Sequence, residues 1–378
     1  MTETDKTTQS VAPLFKSFPW GKTELKNRVV MAPMTRSHSP NKIPGDNVAA
    51  YYRRRAEGGT GLIITEGTNP DHPASNAYPD VPGFYGEEAL AGWKRVVDEV
   101  HAAGGAIIPQ LWHTGSFRQL GMEPDPTIPG IGPSPVAHPF HEGKGEVPQE
   151  MSHADISAVI DSYVRATVSA EQLGFDGVEL HGAHGYIIDQ FFWDLTNTRT
   201  DDYGGSLQNR LRFAIELVTA MRAAVSPDFP IVLRFSQWKL GSYETRMFNN
   251  PNDLEKFLIP LSNAGVDVFH ASTRRFDDPE FEGSSLNLAG WTKKITGLPT
   301  ITVGSVGLDD EFLRSTFGGE TVQRAGIDAL LKRLENDEFD LVAVGRALLS
   351  DPAWADKVRD GHENEIVVFS QEHIAELT

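Results

Sequence analysis

The sequence predicts an α/β protein built as one (β/α)8 barrel. Three observations carry this. Short apolar runs alternate eight times with stretches of helical periodicity. The apolar runs are continuous and not alternating, as expected of parallel strands buried on both faces. No G-x-G-x-x-G follows any of them, which sets aside the doubly wound sheet as the alternative. Eight such units within about 330 residues fit a barrel, and no linker or internal repeat divides the chain.

Residues 1–12 are polar and threonine-rich and are expected to be a disordered lead-in. The barrel is expected over 13–365, and 366–378 as a C-terminal tail. Phe18 to Leu25 (F-P-W-G-K-T-E-L) reads as an N-terminal hairpin closing one end of the fold. The first strand is expected at Arg28–Met34, and its helix at Val48–Glu57 ends at Gly58-Gly59. Strand Gly61–Gly67 leads to helix Glu87–Ala103, with Leu90, Trp93, Val96, Val97 and Val100 on one face. Strand Ala106–Trp112 is followed by helix Ala154–Leu173, with Ser152 as its N-cap. Between them, His113 to Glu150 is long, rich in Pro and Gly, and without periodicity. Such a loop is either a lid or disorder, and its place after a strand favours a lid.

The remaining units are Gly177–Leu180 with Gln208–Val225, Pro230–Phe235 with Leu254–Asn263, and Val266–Ala271 with the weaker Leu288–Ile295. Thr300–Val303 precedes Asp309–Ser315 and Gly326–Leu334, and Leu341–Val344 precedes Pro352–Asp360. Two further irregular stretches, Trp238–Pro251 and Thr273–Ser285, would border the same mouth.

The totals narrow the function. The formal net charge is −18, which argues against nucleic acid or an anionic membrane as partner. There is no cysteine, so disulfides, thiolate zinc sites, iron–sulfur clusters and cysteine nucleophiles drop out together. No signal-like segment or membrane-length apolar run is present, and the expectation is a cytoplasmic monomer or homodimer.

Barrel enzymes carry their chemistry at the C-terminal ends of the strands. Those ends hold Pro33, Met34 and Thr35; Gly67; Gln110; His181, His184 and Tyr186; Arg234; Gly304 and Ser305; and Gly345 and Arg346. Loops after strands seven and eight often bind phosphate, so Gly304 and Gly345-Arg346 read as a phosphate cradle or as ordinary tight turns with a surface ion pair. Arg234 ends an apolar strand, where an unpaired charge is expensive, and needs a buried anion or an electron-rich ring. Gln110 offers a donor and an acceptor to the edge of a planar heterocycle. His181 and His184 are either hydrogen-bond donors to a substrate oxygen or an incomplete metal pair. Tyr186 is a phenol that stays protonated at neutral pH and can act as a general acid.

Four motifs in order, A-P-M-T-R (32–36), Q-L-W-H-T-G (110–115), H-G-A-H-G-Y-I-I-D-Q-F (181–191) and N-x-R-x-D-x-Y-G-G-S-L-x-N-R (197–210), resemble the Old Yellow Enzyme family. The similarity runs from about Pro13 to about Gly361. It implies a flavin-dependent ene-reductase with non-covalently bound FMN and NADPH or NADH as reductant. Pro33, Met34, Thr35 and Gly67 would lie along the flavin ring, Gln110 at its pyrimidine edge and Arg234 near its N1–C2 region. Gly304, Ser305, Gly345 and Arg346 would hold the phosphate, and no metal is implied. The substrate would be an α,β-unsaturated carbonyl compound, with nitro compounds also open. Its oxygen would rest on His181 and His184; hydride would pass from flavin N5 to the β-carbon, and Tyr186 would protonate the α-carbon.

The chain departs from the family pattern at R-F-S-Q-W-K after strand five. Its tail, Ile366–Thr378, also lacks the tyrosine-rich segment that borders the substrate in many members. The alternatives are a metal-dependent barrel hydrolase using His181, His184 and an acid such as Glu179, and a Schiff-base aldolase using Lys239.

Overall fold

The computed structural model describes residues 10–309 and 322–378. Eight parallel strands close into a barrel: β1 (Val29–Met31), β2 (Leu62–Thr68), β3 (Ala106–Leu111), β4 (Val178–His181), β5 (Ile231–Phe235), β6 (Val268–Ser272), β7 (Thr300–Val303) and β8 (Leu341–Val344). They follow one another around the ring in sequence order, and β8 pairs back to β1. The returning helices are α1 (Asp46–Glu57), α2 (Glu87–Ala102), α3 (His153–Leu173), α4 (Leu207–Ala224), α5 (Pro251–Ala264), α6 (Leu288–Thr296), α7 (Asp328–Glu335) and α8 (Trp354–Arg359). The helix expected at Asp309–Ser315 lies, apart from Asp309, outside the described residues, as does most of the expected lead-in.

Six of the eight strands have boundaries shifted from expectation, mostly by one or two residues, and two of the shifts have a clear backbone reason. The ladder of β1 stops at Met31 and not at Met34. Ala32 still donates its N–H to Val344 O (2.9 Å), but Pro33 has no N–H to continue the ladder. Strand β4 runs one residue further than expected, so His181 is its last rung, paired with Arg234. Before it, Gly177 has φ +144°, and a Cβ there would stand 2.7 Å from Pro230 O, so the approach of β5 requires glycine.

The helices are fixed by local signals. Ser152 caps α3 in a reciprocal box with Asp155. Asn250 caps α5, with Pro251 at its first position. Asn287 caps α6, offsetting its weaker periodicity.

Alternation along each strand separates two apolar layers. Outward side chains such as Ile63, Val178, Leu233 and Phe269 pack against helix residues including Tyr52, Trp93, Tyr163 and Leu217. Inward side chains at the lower end, among them Val30, Leu62, Ile64, Ile108, Val232 and Ile301, form a second cluster. That cluster is closed from below by Phe18, Trp20 and Leu25, which belong to an antiparallel hairpin of Phe18–Trp20 and Thr23–Leu25. Trp20 is 2% exposed, and its Nε1 donates to Asp176 O at 2.7 Å. The hairpin plugs the N-terminal end of the barrel.

The segment after β3 contains only short elements, at Gly115–Phe117, Ile131–Gly132, Pro139–His141 and Gln149–Glu150. It is gathered by one side chain. Buried Arg118 donates to the carbonyls of Asn76 (2.5 Å), Met122 (2.8 Å), Glu123 (2.5 Å), Asp125 (2.6 Å) and Ile128 (3.0 Å). Among the described residues no helix is long and apolar enough to cross a membrane.

Removing the plug has a definite cost. Trp20→Ala is expected to lower stability by about 3–5 kcal/mol, from lost burial and the cavity left behind. Denaturant midpoints of the two proteins measure this, and a loss under about 1 kcal/mol would show that the hairpin is not a closure.

Candidate active site

Above the apolar floor, the inward positions of three adjacent strands and their neighbour turn polar. Gln110 on β3 pairs in register with Glu179 on β4, His181 with Arg234 on β5, and Arg234 with His270 on β6. All five are buried. Gln110 Nε2 donates to Glu179 Oε1 (2.7 Å), and His270 Nδ1 donates to Glu179 Oε2 (2.7 Å). Arg234 Nη2 donates to Ser272 Oγ (3.1 Å). Three nitrogens in this layer are buried without a partner: Arg234 Nε, His181 Nδ1 and His270 Nε2. Orphaned buried polar groups are costly, and a polar ligand in the mouth would relieve them.

The sequence after β4 folds tightly. His184 takes a left-handed backbone, φ +63°, uncommon for a residue with a side chain. The strain is held by named bonds. His184 N donates to Ser236 Oγ (3.0 Å) and Gly185 N to Asp189 Oδ2 (2.7 Å). Gly185 O accepts from Gln190 Nε2 (2.7 Å) and from His138 Nε2 (2.9 Å), the latter reaching over from the segment after β3. Asp189 is itself paired with Lys239 at 2.6 Å, both side chains fully enclosed. Breaking such a pair by removing one partner typically costs 3–5 kcal/mol.

This turn brings three rings together. The His181 and His184 centroids are 5.2 Å apart and nearly perpendicular, and His181 and Tyr186 are 4.9 Å apart. Trp112 packs edge-on against Tyr186 at 4.9 Å, and Trp238 stacks on His184 at 4.1 Å. His184 Nε2 and Ser272 Oγ lie 2.9 Å apart. The Tyr186 hydroxyl is 3.0 Å from that of Tyr78. Burial pushes both histidines well below their ordinary range, with the Arg234 charge acting in the same direction. Burial pushes the Tyr186 phenol well above its own, and Tyr78 adds to this. At neutral pH the three are uncharged groups able to donate hydrogen bonds.

The other rim carries the expected phosphate and ring residues. Ser305 Oγ donates to Arg274 O (3.0 Å) and accepts from Arg346 Nη2 (3.2 Å), so the ends of β7 and β8 meet. A Cβ on Gly345 would be 3.5 Å from Met34 Sδ, which places Met34 beside them. A Cβ on Gly67 would be 2.3 Å from the Trp112 ring, so only glycine fits there. Pro33 is buried and Thr35 is exposed at the mouth. Every expected site residue thus stands at the C-terminal end of its strand. The contacts bring His181, His184 and Tyr186 together, and Ser305 and Arg346 together. Tyr78, Trp238, His270 and Ser272 were not expected; only the strand-end position of His270 and Ser272 was a readable signal.

The alternative readings fare differently. Lys239 is enclosed against Asp189 and also donates to Ser236 O (2.9 Å), which places it as a structural cation. Glu179 is turned into the barrel toward Gln110 and His270. Among the described residues no three histidine, aspartate or glutamate side chains gather in a metal-binding group.

The loop bearing Thr35 is fixed from two sides. Glu66 lies in a register shift between β2 and β3 and is buried, and its Oε2 accepts from Arg36 N (2.8 Å) and Ser37 N (3.1 Å). The Arg36 guanidinium holds the tail, donating to His373 O (3.0 Å) and Glu376 O (2.5 Å). Arg54 donates to Leu377 O (2.6 Å) and Arg55 to Thr378 O.

Burial raises the Glu66 carboxyl from 4.5 to about 7, opposed by the two backbone donors. The folded state therefore holds this proton more tightly than the unfolded one. The resulting stability is present below pH 4.5 and is lost as pH rises to about 7, a swing of about 3 kcal/mol. Glu66→Gln cannot titrate and should abolish this component. Its stability relative to the parent should improve by that amount between pH 4.5 and pH 8; a difference independent of pH would refute the assignment.

Comparisons with known proteins agree with this geometry. The family model described as NADH:flavin oxidoreductase / NADH oxidase matches residues 13–365. The chain is 34% identical over 373 residues to 12-oxophytodienoate reductase 7 of Oryza sativa subsp. japonica, covering 94% of this chain and 90% of that one. It is 38% identical over 352 residues to 12-oxophytodienoate reductase 2 of Arabidopsis thaliana, covering 91% and 87%. Among solved structures, morphinone reductase in complex with tetrahydroNAD superposes with a TM-score of 0.78 at 28% identity, over 97% of each chain. The chain belongs to the Old Yellow Enzyme family of FMN-dependent NADH:flavin oxidoreductases.

Proposed function

We propose that this chain reduces the activated C=C bond of α,β-unsaturated carbonyl compounds, with nitro compounds as a second class presenting the same kind of oxygen acceptor. The observation that carries the reading is the cluster of His181, His184 and Tyr186: three neutral donors, with the His181 ring about 5 Å from each of the other two, beside a buried guanidinium. Two relatives are named as reductases of 12-oxophytodienoate and one solved structure as that of morphinone reductase, which supports a small keto compound as substrate.

The residues present suit FMN. Ser305 and Arg346 offer a hydroxyl and a guanidinium to the phosphate, the latter able to clamp it with two bonds. Gln110 offers an amide edge, and the orphaned Arg234 Nε a donor where negative charge would collect. Gly67 and Pro33 leave a flat wall without side-chain donors. When bound, FMN supplies the hydride that it has accepted from a nicotinamide nucleotide.

The chain's own residues do the rest. His181 and His184 hold the substrate oxygen and draw electron density from the conjugated bond, an effect that grows as charge develops on that oxygen. Their lowered proton affinity keeps them neutral, so they donate hydrogen bonds without surrendering a proton. Tyr186 gives its phenolic proton to the α-carbon, and Tyr78 at 3.0 Å holds the hydroxyl in place. Trp112 and Trp238 flank the rings and exclude water.

The visible spectrum of the purified protein tests the whole reading. Flavin bands should bleach on anaerobic addition of NADH or NADPH and return on adding 2-cyclohexenone. A protein that cannot be loaded with FMN would end the proposal. Tyr186→Phe separates the two halves: reoxidation by enone should slow by about 10²-fold or more while reduction by nicotinamide changes far less. Equal losses in both halves, measured by anaerobic stopped flow, would remove Tyr186 as the proton donor.

A further inference from the structure

Glu179 has no part in the reaction described above, yet it occupies the centre of the polar layer. It is fully buried, and both of its oxygens are taken, one by Gln110 Nε2 and one by His270 Nδ1, each at 2.7 Å. The two ends of a carboxamide have nearly the same shape and opposite hydrogen-bonding character, so packing alone does not orient one. A partner of fixed polarity does. An ionised carboxylate only accepts, so the nitrogen of Gln110 is the end that faces it. The His270 bond keeps the carboxylate from rotating away, and its charge supports the buried Arg234 guanidinium.

We propose that Glu179 is a positioning residue for the cofactor: it locks the Gln110 carboxamide so that its carbonyl oxygen is offered as an acceptor to the imide N3–H of the flavin. This rests on the FMN reading of the site and adds to it the polarity of the edge that recognises the ring. The imide edge presents acceptor, donor, acceptor, and a free carboxamide could meet it in either sense. Glu179 selects one.

The test is binding of FMN to apoprotein, followed by flavin fluorescence. Glu179→Gln, a partner that can donate as well as accept, should weaken binding by about tenfold, and Gln110→Ala by a similar factor. The double variant should bind within about twofold of Gln110→Ala alone, because the two residues act through one hydrogen bond. Losses that multiply, or unchanged binding in Glu179→Gln, would overturn the proposal. Should Glu179→Gln fail to fold, NMR of wild-type apoprotein labelled in the glutamine side-chain nitrogens decides. The Gln110 amide protons should be resolved and slow to exchange, and an averaged, rapidly exchanging pair would overturn the proposal. Wild-type apoprotein that takes up no FMN is a separate result, which removes the cofactor reading itself while the NMR still reports on the Glu179–Gln110 bond.

Discussion

A carboxylate and a guanidinium are enclosed within a cylinder of aliphatic side chains, and the upper half of the barrel is arranged around that fact. Either charge alone would be expelled or neutralised. Together, with Gln110 and His270 donating to the two carboxylate oxygens and Ser272 accepting from the guanidinium, they are tolerated, and Arg234 remains a cation directly under the mouth. The hydrophobic floor below makes this possible by keeping water out from the opposite side. The hairpin at the base and the chemistry at the top are therefore parts of one dielectric arrangement.

The same cation explains why the ring cluster at the mouth is uncharged. Arg234 and burial both disfavour a second positive charge, so His181 and His184 stay neutral, and burial keeps the Tyr186 phenol protonated. One fixed positive charge beneath and several neutral donors above is an arrangement that stabilises negative charge appearing during a reaction without binding an anion permanently. The turn that presents these donors is strained at His184, and the buried Lys239–Asp189 pair beneath it holds the turn through Gly185 N.

Much of this was legible in the sequence because parallel barrel strands announce themselves as apolar runs and functional groups sit where those runs end. Ser152 and the glycine stops marked helix ends through chemistry local to the chain. What escaped depends on distant pairing. Tyr78 lies in an aperiodic loop 108 residues from Tyr186, and nothing near it signals a partner. Lys239 reads from the sequence as a Schiff-base candidate, but its partner Asp189, 50 residues away, encloses it. Glu179 was visible as a charge in a strand, but a strand does not reveal what stands opposite. The segment after β3 has no periodic pattern because its order comes from Arg118 collecting carbonyls, an interaction with no sequence signature.

The C-terminal tail is held by another set of arginines in the same manner. Arg36, Arg54 and Arg55 all grip it by main-chain oxygens. Recognition of that kind does not depend on which side chains the tail carries. Much of the tail's attachment is thus independent of its composition, with Phe369, Ile366, Ile374 and Leu377 adding apolar contacts to the core. Side chains at the exposed positions of Ile366–Thr378 can therefore change without loosening the grip of Arg36, Arg54 and Arg55, whereas buried Phe369 cannot.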